Sequence, residues 1–309
     1  PPRSTLFPYT TLFRSFGTGG KVTTDFGGSY DEGYRVTTAG SGLVVLGSTS
    51  LGTGLVRYDS DGNLDTGFGT GGRTAFESPF FLYQYNLSAT SDGKLWIAGY
   101  VYNAATGNDF AVARYNAGGT LDTDFGAAGV VVVDFGNLRD DVASALVADS
   151  QDRLLAVGRS YDPVAGVSQI ALARLDETGT LDNAFDADGL VKSQFADITY
   201  TTHDYGYAIA SLGAEHVVLA STGNGPQFLR YAADGSLDTT FGQNGHVGLQ
   251  LPAGFNLQYG LAVSDGKLLV PGYVYDNGAG GYDFAVVRYL ADGSLDTTFD
   301  PDPSVVNAT

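Results

Sequence analysis

The sequence predicts an all-β fold: a β-propeller of five four-stranded antiparallel blades. Three observations carry this. One motif recurs five times at intervals of 57, 60, 56 and 58 residues. Each interval holds four short strand-like pieces separated by turn residues, and no segment shows the apolar spacing of a helix.

The elements follow in chain order. Residues 1–15 are set aside as a leader: Thr5 to Ser15 reads TLFPYTTLFRS, which matches nothing later and resembles the in-frame translation of a sequencing adaptor. The repeats begin at Phe16, whose Phe-Gly matches the tail of a further copy, and the chain has no Met, so the sequence reads as a fragment. The motif is RYDSDGNLDTGFG from Arg57, RYNAGGTLDTDFG from Arg114, RLDETGTLDNAFD from Arg174, RYAADGSLDTTFG from Arg230 and RYLADGSLDTTFD from Arg288. These copies divide the chain into repeats at about 16–68, 69–126, 127–186, 187–242 and 243–300, with a tail at 301–309. Val305-Val306 in that tail reads as a partial strand of another blade, which leaves six or seven blades open for a parent protein.

The third repeat shows its strands most clearly: Val130–Phe135, Val142–Ala148, Leu154–Val157 and Ile170–Leu175. Asp92-Gly93 and Asp265-Gly266 are hairpin signals. Leu95–Ala98, Leu154–Val157 and Leu268–Val270 are apolar on successive residues, which requires cover on both faces. A blade between two blades has that cover. The dozen residues from Tyr58 to Gly71 are long enough to return the chain from rim to axis. A stacked solenoid of similar units is the alternative.

The motif RYxxDGxLDxxFGxxG, with the strands at Asp265–Tyr273 and Phe284–Tyr289, resembles the bacterial delta-60 repeat family over nearly all of residues 16–300. That resemblance implies a propeller-like fold in large, usually exported bacterial proteins. It implies no defined activity.

Composition narrows the partners. Sixteen basic residues against 34 acidic ones give a net charge of −18, which repels nucleic acid and anionic membranes. No apolar run reaches the length of a membrane span. The absence of cysteine excludes disulfides and thiolate metal sites. The expected molecule is a monomer, extracellular or at the cell surface, with a protein or carbohydrate ligand.

The repeated Arg57–Asp65–Phe68, Arg114–Asp122–Phe125, Arg174–Asp182–Phe185, Arg230–Asp238–Phe241 and Arg288–Asp296–Phe299 read as structural. The aspartate closes an Asx turn, the arginine anchors it, and the phenylalanine wedges between blades. Five identical sites argue against catalysis, which needs one asymmetric site, so the chain is expected to be a non-catalytic binding or adhesion scaffold. The alternative is a calcium-assisted propeller hydrolase or lyase acting on sugars or lactones. Asp59, Asp61 and Asp65 resemble the start of a calcium loop but lack the terminal glutamate. No cofactor other than calcium is expected. The loops of variable length and chemistry share one face. They offer Asp31, Glu32, Tyr83, Gln84, Tyr102, Asp140, Asp141, Tyr161, His203, Asp204, Gln258, Tyr259, Tyr275 and Asp276 as binding candidates.

Overall fold

The computed structural model describes residues 16–76, 81–136, 140–194, 204–276 and 280–299. They form twenty strands and no helix. The first blade holds β1 (Asp31–Ala39), β2 (Gly42–Thr49), β3 (Gly52–Tyr58) and β4 (Arg73–Phe76). The second holds β5 (Phe81–Ala89), β6 (Leu95–Asn103), β7 (Gly107–Tyr115) and β8 (Val130–Val133). The third holds β9 (Asp140–Ala148), β10 (Leu154–Asp162), β11 (Val167–Leu175) and β12 (Leu190–Ser193). The fourth holds β13 (Tyr205–Leu212), β14 (Glu215–Thr222), β15 (Gly225–Tyr231) and β16 (His246–Gly248). In the fifth, β17 (Phe255–Leu257) and β18 (Ala262–Ser264) both pair with β19 (Lys267–Asp276), which also pairs with β20 (Gly281–Tyr289). All pairings are antiparallel, and the five blades stand in a ring: the chain is a five-bladed β-propeller.

The inner strands β1, β5, β9, β13 and β18 touch in succession around the axis. The core lies between blades. Strand β6 shows why: Leu95 and Ile97 pack with Val44, Leu46 and Leu55 of the first blade, while Trp96 and Ala98 pack with Leu154 and Ala156 of the third. Successive residues point to opposite faces, so a strand covered on both faces must be apolar throughout.

The blades run one strand out of phase with the repeat boundaries. Val130–Val133 was expected to open the third repeat, yet β8 pairs with β7, Phe110 opposite Val133, and closes the second blade. The dozen-residue motif connection is therefore the link from third to fourth strand within a blade. The link from rim to axis is the shorter run between Val133 and Asp140.

The motif builds the joint between neighbours. In each copy the arginine Nε donates to the aspartate Oδ2 at 2.8 Å. The guanidinium lies 4.2–5.0 Å from the centroid of the phenylalanine ring. In the first four copies Nη1 also reaches a backbone carbonyl of the next repeat: Ala117, Glu177, Ala233 and Ala291. The glycine of the following motif completes the joint. Gly119 has φ +84, and a Cβ there would come within 2.9 Å of the Phe68 ring. The backbone conformation and the wedge thus both demand glycine.

Candidate functional site

Antiparallel pairing brings the starts of the inner strands to the same end of the ring as the hairpins that join second to third strands. Asp140 sits opposite Tyr161, and Asp141 opposite Ser160. Asp31 and Glu32 open β1, and buried Asp204 precedes β13. Tyr102, Tyr161, Tyr275 and Asp276 end second strands. Gln258 and Tyr259 lie in the break between β17 and β18, where Tyr259 has φ +50. Tyr102 is 65% exposed and Tyr275 48%. His203 and the side chains of Tyr83, Gln84 and Asp276 lie outside the described residues.

At this end Asp109 of β7, Asp134 just beyond β8 and Asp141 of β9 converge, each offering one carboxylate oxygen within 4.8 Å of the others. Among the described residues this is the one group of three acidic or histidine side chains placed to share an ion. Local structure sets each member. The Thr106 hydroxyl donates to Asp109 Oδ2 at 2.8 Å. Asp134 Oδ1 accepts the Gly136 amide at 2.7 Å, an Asx turn that aims the chain from rim to axis. Asp141 Oδ2 accepts the Phe135 amide at 2.8 Å.

Asp109 and Asp141 are buried, whereas Asp134 is exposed. Burial pushes the Asp141 carboxyl up to about 6, against the hydrogen bond from the Phe135 amide; the charges of Asp134 and Asp109 add to the rise. Burial raises Asp109 too, with Thr106 opposing and Asp134 adding. Oδ1 of Asp109 and Oδ1 of Asp141 have no hydrogen-bond partner. Two buried anionic oxygens facing a third carboxylate call for a proton or a cation.

Of the three, sequence reasoning named only Asp141. Asp134 was visible as the polar end of the run Val130–Phe135, and Asp109 as a charge in a strand that is otherwise apolar. What it lacked was the pairing of β8 with β7, which carries Asp134 to Asp109.

The run that resembles the start of a calcium loop lies in a hydrogen-bonded turn. Asp59 Oδ1 accepts the amides of Asp61 and Asn63, and Oδ2 accepts the Asn63 side-chain amide at 3.0 Å. Asp65 is paired with Arg57 at 2.7 Å. Asp59 is thus held by the amides of its own turn, and Asp65 by the arginine clamp.

Comparison with known proteins agrees with this architecture. A β-propeller family described as a domain of unknown function, DUF5122, matches residues 35–68, 90–125, 152–185, 216–241 and 264–299, together more than half of the chain. The chain belongs to this family. A search of curated proteins found no match.

Several solved structures are similar to the DUF5122 chain at low identity. The α-L-arabinanase of Cellvibrio cellulosa in complex with arabinohexaose is 13% identical, with 85% of this chain and 94% of that one covered and a TM-score of 0.47. The endo-arabinase of Bacteroides thetaiotaomicron is 11% identical, with 82% and 92% covered and a TM-score of 0.46. The exo-β-1,3-galactanase of Clostridium thermocellum is 12% identical, with 91% and 63% covered and a TM-score of 0.44.

The expectation of a non-catalytic binding scaffold is not carried further: the similar solved structures are of sugar-cleaving enzymes, a likeness of fold alone. Fivefold repetition argues against catalysis only at the repeated clamps themselves. The three-aspartate group occurs once among the described residues, although Asp25 and Asp31 repeat the amide bonds of Asp134 and Asp141 in the first blade.

Proposed function

We propose that this propeller is a hydrolase or lyase acting on sugars or lactones, with its working centre at Asp109, Asp134 and Asp141 and a hard divalent cation such as calcium as its aid. The observation that carries this reading is the pair of unpartnered, buried carboxylate oxygens beside an exposed third carboxylate. An all-oxygen anionic donor set fits calcium, which takes carboxylates and completes its shell with water or ligand oxygens. When bound, the ion would polarise a substrate oxygen.

The chain's own groups do the rest. Asp134 faces solvent and meets substrate first. Thr106 and the Phe135 amide hold the two buried carboxylates in place behind it. The exposed rings of Tyr102, Tyr259 and Tyr275 on the same face offer apolar planes for sugar rings. The motif pattern supports the finer assignment of the repeats to the delta-60 type. With the acidic surface it also supports an exported bacterial protein.

The test is turnover. Arabinan, β-1,3-galactan, other plant and microbial glycans and a panel of lactones are incubated with the protein in calcium and in EDTA. Asp134→Asn is expected to lower any turnover more than 100-fold while the circular dichroism spectrum is unchanged. Absence of turnover on every substrate in both buffers, or full activity in Asp134→Asn, defeats the proposal.

A further inference from the structure

We propose that the substrate of the aspartate centre is a glycan containing uronic acid, and that Arg159 selects it by its carboxylate. This rests on the reading of Asp109, Asp134 and Asp141 as the working centre, and it narrows that reading from sugars or lactones to an acidic oligosaccharide. Arg159, at the middle of β10, is a cation without an acidic partner. Every other arginine among the described residues donates a hydrogen bond to a carboxylate or a backbone carbonyl, whereas Arg159 makes none, and no ion pair. Its Nε is buried and unpartnered. Its guanidinium carbon lies 5.6 Å from the centroid of the Tyr205 ring. In a chain with 34 acidic residues against 16 basic ones, a half-buried guanidinium left without a carboxylate is a place for an anion from outside. The charge belongs to the third blade alone. The residues four before each motif arginine pair with Ser48, Tyr100, Arg159, Ser221 and Tyr273 of the second strands.

The topology sets Arg159 one joint away from the aspartates, at the same end of the ring. Alternation along β10 turns Ser160 the same way as Leu154 and Ala156, toward the second blade, and Asp141 opposite Ser160 shares that face. Arg159 turns the other way with Leu155 and Val157, which pack with Ile209 and Val218 of the fourth blade. Packed sheets stand about 10 Å apart. A ligand that meets both Asp134 and Arg159 is therefore a disaccharide or longer, and a lone lactone ring is too short.

A row of rings continues from Arg159 to the fifth blade. Tyr205 lies 4.5 Å from Tyr207, and Tyr207 stacks on Tyr259 at 3.8 Å. Tyr259 holds φ +50, a conformation few L residues adopt, and stands 41% exposed. A guanidinium beside aromatic planes suits both parts of a uronic acid. The planar carboxylate takes two N–H donors, and the apolar face of the sugar ring lies on tyrosine.

Binding tests this apart from the catalytic reading, because it needs no turnover. Trigalacturonic acid and its methyl ester, equal in length and different in charge, are titrated calorimetrically into wild type, Arg159→Gln and Arg159→Lys. The buffer holds EDTA, so that calcium cannot bridge acid to aspartate. Wild type is expected to bind the free acid about tenfold or more tighter than the ester, the size of a charge-assisted hydrogen bond. Added salt is expected to erode that preference. Arg159→Gln is expected to lose it while binding the ester as wild type does, and Arg159→Lys to keep part of it. No binding of the free acid, equal binding of acid and ester by wild type, or a preference that survives Arg159→Gln overturns the assignment of Arg159. Asp134→Asn is expected to keep the acid preference, so a fault in the catalytic reading appears in turnover and a fault in this one appears in binding.

Discussion

His216 titrates far from its ordinary range, and that makes it a quantitative probe of the fold. It lies in β14 at 1% exposure, with Nδ1 3.2 Å from the Ser211 hydroxyl and Nε2 without a partner. Burial lowers its pKa to about 4; Asp149 opposes the fall, while Arg174 and Arg153 add to it. The unfolded chain has the ordinary value of about 6.5, so between pH 4 and 6.5 the unfolded state binds more protons than the folded one. Stability therefore falls as pH drops from about 6.5 to about 4 and then levels off. A shift of two and a half units corresponds to about 3 kcal/mol over that window.

Asp141 acts with the opposite sign over part of the same range, so the quantity to read is the difference between wild type and His216→Gln. Urea unfolding at half-unit steps from pH 4 to 7.5, in EDTA, measures it. The variant is expected to lack the loss, so that its stability relative to wild type improves by about 3 kcal/mol between pH 7 and pH 4. Parallel curves would refute the burial of a neutral imidazole at this joint.

Other outcomes follow from the same structure. Asp141→Asn removes a buried carboxyl whose pKa is about 6 when folded and 3.8 when unfolded, so in EDTA the variant should be more stable than wild type at pH 7 by up to about 3 kcal/mol and no more stable at pH 3.5. A variant that is less stable at pH 7 would contradict the raised pKa. Asp182→Asn leaves Arg174, whose side chain is 1% exposed, without its carboxylate and should cost about 3–5 kcal/mol by chemical denaturation. The matching Asp65→Asn, at a joint with 18% and 36% exposed partners, should cost about 1 kcal/mol or less. Gly119→Ala, at φ +84 against the Phe68 ring, should lower stability by about 1–3 kcal/mol in the same assay. Equal losses at the buried and exposed clamps, or a neutral Gly119→Ala, would count against the joint as described.

Much of the architecture was legible because repetition within one chain does the work of comparison. The motif recurs with its arginine, aspartate and phenylalanine in step, so a local turn and its clamp could be read from residues 57–68 alone. Apolar runs such as Leu154–Val157 showed burial on both faces, which neighbouring blades supply. Blade phase was not legible. Val130–Val133 is an equally good strand whether it pairs forward with Val142–Ala148 or backward with β7, and only long-range pairing decides between them. The pocket was hidden for the same reason. Asp109 and Asp134 belong to one blade and Asp141 to the next, and their approach depends on a register the sequence does not display. The run at Asp59 has a spacing that suits both an ion and the amides of its own turn, and Asp59 bonds those amides.

The proposed functional centre is the Asp109–Asp134–Asp141 pocket, the one such group among the described residues. Calorimetric titration with calcium tests it most directly, on wild type, Asp134→Asn and Asp59→Asn. One bound ion per chain is expected in wild type and in Asp59→Asn, and none in Asp134→Asn. No binding to wild type, or binding that survives Asp134→Asn and disappears with Asp59→Asn, would contradict it.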